Sequence, residues 1–241
     1  MTSKDLPKII YANVRSNLKV LGSILLNKQI QWEGDLEDVR GKRVLLLVHG
    51  VKNTEAQIKT AYKQLGNRST ACFDVVVGFI WPAGSTPLGW PIVSTIALLS
   101  DRTSDKLEEV IDEIYKHEPE SITINAHSLG CPIAIKAINR PIEALWLLSP
   151  AMTRYIGRYK NHFQYLKYPV QICYSKLDSA LALYMAWPPF LPALGMFGEG
   201  GRTKHGVSHD FTKEIGTNHT GYRHSSKLYQ LMFDLYKRII T

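Results

Sequence analysis

Cysteine is scarce in this 241-residue chain: Cys72, Cys131 and Cys173 are the only three, and none forms a Cys-x-x-Cys pair. Each has apolar or small neighbours, so neither a disulfide framework nor a zinc site is supported, and buried thiols are expected. Long apolar runs are lacking too. No uninterrupted stretch reaches about 18 residues, which leaves no candidate membrane span. The N-terminus has no compact apolar core followed by a small-residue cleavage site, so the sequence argues against export and for a cytoplasmic location. Internal repeats, low-complexity tracts and Gly/Ser-rich linkers are absent as well. Lysine and arginine outnumber the acids 29 to 21, a formal charge of +8, but the cations are spread along the chain and the aromatics sit in apolar runs. Nucleic-acid recognition wants the opposite arrangement, cations clustered beside stacking aromatics.

What is present is ordinary globular composition, 45% hydrophobic and 21% charged, in a length that one α/β domain commonly fills. The expected organisation is therefore a single domain over residues 1–241. Ile10, Val14, Leu18, Leu21 and Leu25 recur at steps of three and four, which predicts an N-terminal amphipathic helix within residues 1–30. Its opposite face carries Lys4, Lys8, Arg15, Lys19 and Lys28, so the stripe either docks on its own domain or lies on an anionic membrane surface.

Downstream, Val44–Val48, Asp74–Ile80, Ile122–Asn125, Ala144–Leu148 and Val170–Tyr174 read as buried strands. Helical patterns fall at 54–66, 102–117, 129–139, 155–166 and 222–238. Strands without polar alternation are covered on both faces, which predicts an α/β architecture with a mostly parallel central sheet and helices on either side. Residues 179–201 stand apart, because Leu181–Met196 is apolar, aromatic and rich in proline. This segment is either a cap or pocket-lining insert, or ordinary core.

Ile122–Asn125 runs into Ala126, His127, Ser128, Leu129 and Gly130 and then a helical pattern. A serine held proud of a sheet needs a sharp, strained turn, and the close approach of strand and helix then requires small residues two before and two after it. Ala126 and Gly130 meet that need. The competing role for Ser128 is an N-cap of the following helix. Upstream, Val44–Val48 ends in His49-Gly50 and leads through Val51, Asn53 and Thr54 into another helix. Asp178 lies just past the strand Val170–Tyr174, where catalytic groups of open parallel sheets collect, or it caps a helix starting at Ser179. Four histidines follow it, His205, His209, His219 and His224. His219 sits in a loop before the last helix, while His209 has its own acidic neighbour in Asp210.

Together, His49-Gly50 with Asn53-Thr54, Phe79 to Gly84 around Trp81-Pro82, Ala126-His127-Ser128-Leu129-Gly130, Tyr174 to Asp178, and Asn218-His219-Thr220-Gly221-Tyr222 resemble the alpha/beta-hydrolase superfamily of esterase- and lipase-like proteins over about residues 44–238. The Trp-Pro and Ala-His-Ser pieces are similar to the bacterial group called domain of unknown function 900. The first small position is Ala126, where the usual motif has glycine. The resemblance implies a catalytic Ser128, Asp178 as the acid and His219 as the base, with His209 and His224 as rival bases and Asp210 as a rival acid. It also implies an oxyanion hole from the backbone amides of Val51 and Leu129, and no cofactor. His49 precedes the nucleophile, so by the superfamily's order it is a structural loop residue and not the base. The expected reaction is hydrolysis of a small carboxylic ester, with a hydrophobic acyl group if the 181–196 segment lines a pocket. Two alternatives stand beside it: a non-catalytic module binding a lipid or partner, and a membrane-peripheral lipase or thioesterase.

Overall fold

The computed structural model describes residues 6–16, 26–51, 54–83, 101–185, 192–200 and 205–240. Among these, an eight-stranded sheet runs in the order β2-β1-β4-β3-β5-β6-β7-β8. Its strands are β1 (Lys8–Arg15), β2 (Leu26–Glu33), β3 (Arg43–Val48), β4 (Val75–Ile80), β5 (Ser121–His127), β6 (Ala144–Leu148), β7 (Val170–Tyr174) and β8 (Gly206–Asp210). Neighbours pair in parallel except β1 and β2, which are antiparallel. The helices are α1 (Glu55–Arg68), α2 (Arg102–Lys116), α3 (Gly130–Lys136), α4 (Lys160–Phe163), α5 (Ser179–Met185), α6 (Leu194–Phe197), α7 (Thr212–Ile215) and α8 (Ser226–Ile240).

The side-chain period of two divides each central strand between two cores. Val44, Leu46 and Val48 of β3 join Ile122 and Ile124 of β5 in a cluster with Leu107, Val110, Ile111 and Ile114 of α2 and Ile133 of α3. Leu45 and Leu47 face the other way, onto Ile58 and Tyr62 of α1 and Leu228 and Met232 of α8. Both sheet faces are thus buried, as the unbroken apolar runs require, and each fully buried Leu or Ile contributes on the order of 1.5–3 kcal/mol. Helix α1 starts on a capping box: the Thr54 hydroxyl accepts from the Gln57 amide at 3.3 Å, and Gln57 Oε1 accepts from the Thr54 amide at 2.9 Å. That fixes where the loop after β3 ends.

The N-terminal helix expected within residues 1–30 is not formed: Lys8–Arg15 and Leu26–Glu33 are strands, and residues 17–25 lie outside the described residues. The reason is numerical. A step of four satisfies both a period of two and a period of 3.6, so Ile10 and Val14 suit either element. In the fold, Ile10, Ala12 and Val14 enter the core on one face of β1, while Ile9 and Tyr11 pack on the other. The basic membrane-lying helix built on that pattern goes with it. The helix expected at 155–166 is a 3-10 turn, Ile156–Tyr159, followed by the single turn α4.

Candidate active site

β5 ends at His127 and the chain turns at Ser128, whose φ of 55° lies in the left-handed region. A non-glycine residue there costs on the order of 1–3 kcal/mol and persists only where its surroundings enforce it. They do: the Ser128 amide donates to the Leu148 carbonyl at 3.0 Å, and its carbonyl accepts from the Cys131 and Ala151 amides at 3.1 and 3.2 Å. Two glycines make room for the turn. A Cβ on Gly130 would lie 2.5 Å from the His49 carbonyl oxygen, and one on Gly50 would lie 2.8 Å from Ser128 Cβ. Ala126 is fully buried with its methyl in the core. The N-cap of α3 is Leu129 and no side chain caps it, so Ser128 does not serve as the helix cap.

The Ser128 hydroxyl instead meets His219, with Oγ 2.9 Å from Nε2. The far side of the ring meets Asp178, with Nδ1 2.8 Å from Oδ2 and 3.0 Å from Oδ1. A carboxylate can only accept, so Nδ1 carries the proton and Nε2 is left bare to accept from the serine. Asp178 is 1% exposed. Its Oδ1 accepts from the Leu181 amide at 3.0 Å in the first turn of α5, so the helix-capping role and the partnership with His219 coexist in one carboxylate. Oδ2 also accepts a short hydrogen bond from the Ser149 hydroxyl. Burial works to raise the Asp178 carboxyl, but the contacts with His219, Ser149 and the Leu181 amide outweigh it and hold the group below its ordinary value.

The rival groups lie elsewhere. His209 projects from β8 onto Gln171 at 2.9 Å and stacks on Trp146. The His224 ring accepts from Arg223 Nε, and the His205 ring lies against Phe163. Asp210 is engaged by Tyr174, Lys176 and the Thr212 amide at the β7–β8 edge. Among the described residues, His219 is the histidine that contacts both Ser128 and Asp178.

Three further residues complete the arrangement. Wholly buried Ser149, at a φ of 45° just past β6, holds the carboxylate. Sequence reasoning missed it, although a polar residue at the C-terminal end of β6, the strand beside β5, is a usable signal. His127, also missed and lying inside the motif itself, points Nε2 at the His219 carbonyl at 2.9 Å with the two rings 4.7 Å apart. His49 is the structural loop residue expected of it. Its Nε2 accepts from the Trp81 amide at 3.2 Å, its Nδ1 lies 2.6 Å from the Gly50 carbonyl, and its ring stacks on Trp81.

Next to Ser128, Leu129 joins Ala151, Leu181, Ala193 and Met196 in a small apolar cluster against which Val51 and Met185 pack. Leu181, Ala193 and Met196 come from the 181–196 segment; Trp187, Phe190 and Leu191 lie outside the described residues. Gly50 approaches Ser128 closely, and Val51, the next residue in the loop, packs on this same cluster. Among the described residues no three His, Cys, Asp or Glu side chains are grouped to hold a metal ion, and no helix is long and apolar enough to cross a membrane.

A family model described as "Alpha/beta hydrolase of unknown function (DUF900)" matches residues 27–185, which include Ser128 and Asp178 and end before His219. No curated protein matches the chain. Among solved structures, the crystal structure of TT1662 from Thermus thermophilus aligns with a TM-score of 0.48 at 13% identity, covering 83% of this chain and 89% of that one.

Proposed function

The chain belongs to this family of alpha/beta hydrolases of unknown function, and from that premise we propose that it is a serine hydrolase cleaving carboxylic esters through an acyl-enzyme. The observation that carries the reading is one imidazole, His219, spanning Ser128 Oγ at 2.9 Å and Asp178 Oδ2 at 2.8 Å. A serine hydroxyl is a weak nucleophile, and an adjacent base oriented by a third group is what activates it. His219 takes the hydroxyl proton as Oγ attacks the ester carbonyl, Asp178 stabilises the imidazolium, and the proton passes to the departing alkoxide. Water, activated by the same His219, then attacks the acyl carbonyl and releases the acid. The amides of Val51 and Leu129 stabilise the oxyanion in both halves. The apolar cluster that includes Leu129, next to Ser128, and reaches Met196 supports a hydrophobic acyl group over acetate.

Fluorophosphonate labelling read by intact mass tests the reading. The native chain is expected to gain one phosphonyl group and the Ser128→Ala variant none, with kcat on p-nitrophenyl esters lowered by on the order of ten-thousand-fold in that variant. A folded native chain that takes up no probe would sink the proposal.

A further inference from the structure

Behind the Ser128 turn, between the C-terminal ends of β3 and β5 and helix α1, lies a cavity of about 70 Å³. Leu47, Ile58, Ala61, Leu65 and Leu148 give it apolar walls. Ser128 does not line it, but His127, the residue before it, does. Most of its polar lining is already committed. The His49 nitrogens meet the Gly50 carbonyl and the Trp81 amide, the Tyr62 hydroxyl donates to the Phe79 carbonyl, and the Thr220 hydroxyl meets Asn218.

Arg223 also lines the cavity, with its Nε on the His224 ring, and two further groups, Asn125 and His127, keep polar atoms uncommitted. Asn125 is 3% exposed, yet its Nδ2 has no hydrogen-bond partner, and leaving a buried donor unpaired costs about 1–3 kcal/mol. His127 stands two residues further along β5, on the same face of the strand. Its Nε2 faces the His219 carbonyl, which can only accept, so Nε2 carries the proton. Burial drives the His127 ring down to about 3, which keeps it neutral and leaves the Nδ1 lone pair bare. The site therefore offers one donor and one acceptor at the polar end of an apolar hole.

We propose that this cavity binds a short aliphatic alcohol, whose hydroxyl accepts from Asn125 Nδ2 and donates to His127 Nδ1 while its chain lies against Ile58, Ala61 and Leu65. The chemistry discriminates. An alkane would leave Asn125 unpaired, and a carboxylate, although Arg223 also lines the cavity, would set a lone pair against that of His127. At about 10–15 Å³ per water-sized group the space takes roughly five such groups, which suits an alcohol of three or four carbons.

Titrating 1-butanol into the full ¹⁵N-labelled Ser128→Ala chain tests this without turnover, so the result is independent of whether Ser128 is a nucleophile. The side-chain amide signal of Asn125, assigned by its loss in Asn125→Leu, is expected to shift saturably. Ala61→Leu, which fills the hole, is expected to abolish that shift with the rest of the spectrum kept. Should Ala61→Leu fail to fold, sodium butyrate on the unfilled chain serves instead and is expected to leave the signal in place. Three results would overturn the proposal: no saturable shift at alcohol concentrations that leave the circular dichroism unchanged, an equal shift with butyrate, or a shift that survives in folded Ala61→Leu. An Asn125 amide showing cross-relaxation to water alone, unmoved by butanol, would also overturn it and make the cavity a water site.

Discussion

The serine and the histidine of the candidate site are held by different means. The turn at Ser128 is fixed by backbone: its amide and carbonyl bond Leu148, Cys131 and Ala151, and the close packing of Gly130 and Gly50 leaves it no other path. His219 sits on a loop whose internal bonds are local, Asn218 to Ile215, Gly221 to Asn218 and the Thr220 amide to the Asn218 side chain. What anchors that loop is mainly side chains, Asp178 on the ring, His127 on the His219 carbonyl and the Ser175 and Ser179 hydroxyls on the Gly216 and Thr217 carbonyls, beside one backbone bond from the Ser179 amide to Thr217. The position of Ser128 is thus set by backbone and close packing, and that of His219 mainly by replaceable side-chain contacts. Substitutions in the turn should act first on folding, and substitutions around the base first on rate.

Asp178→Asn gives the largest expected effect after loss of the serine itself. An asparagine amide donating to Nδ1 would drive the proton to Nε2 and aim a donor, not an acceptor, at Ser128. A fall in kcat on the order of 10⁴ is expected with little change in KM, read from steady-state ester hydrolysis; a loss below tenfold would separate the acid's role from Asp178. Gly130→Val tests the other side of the comparison. Its Cβ would meet the His49 carbonyl, and overpacking of this kind costs about 1–3 kcal/mol. A lowered Tm is the expected primary effect, and an unchanged Tm would show that the turn is held less tightly than its contacts imply.

His127 should give a smaller, graded response. His127→Leu removes the donor to the His219 carbonyl, and a roughly tenfold loss in kcat is expected, in line with one misaligned hydrogen bond worth about 1.4 kcal/mol. His127→Gln places an amide N–H near the former Nε2 and should recover most of the rate. A merely structural role would be served as poorly by Gln as by Leu, so equal losses would remove His127 from the positioning of the base.

How much was legible follows the same division. β3 through β7 are runs of buried apolar residues and could be read directly, and Ser128 and Asp178 stood out because each follows such a strand, whereas His219 rested on its loop before the last helix. β1 could not, since Ile10 and Val14 fit two periods at once and the deciding facts are its neighbours β2 and β4. β8, Gly206–Asp210, is a largely exposed edge strand with no apolar signature. Ser149 and His127 escaped for a related reason: their roles are contacts with residues 29 and 92 positions away, and distance in sequence hides a hydrogen bond that carries no motif.

The last prediction concerns acid, and it probes the His49 loop apart from His219. Nε2 of His49 accepts from the Trp81 amide, so a second proton on the ring would break that bond and bury a charge, and burial pushes the ring from 6.5 down to about 3. The unfolded chain takes that proton as the pH falls through the ordinary histidine value, while the folded chain does not until near the depressed one. Between these limits the unfolded state binds more protons, so stability falls with falling pH by up to about 1.4 kcal/mol per pH unit for each such histidine. His127 adds a contribution of the same sign. The Asp178 carboxyl, held below 3.8, stabilises the fold above that value and withdraws its contribution only as the pH falls further. Urea midpoints measured from about pH 7 to about pH 5.5, above the range in which ordinary carboxylates take protons, should therefore already decline in the native chain. His49→Gln should start lower at neutral pH and decline less steeply, because one proton-linked group is gone. Parallel slopes would mean that His49 is charged in the folded protein and that the Trp81 amide does not donate to it.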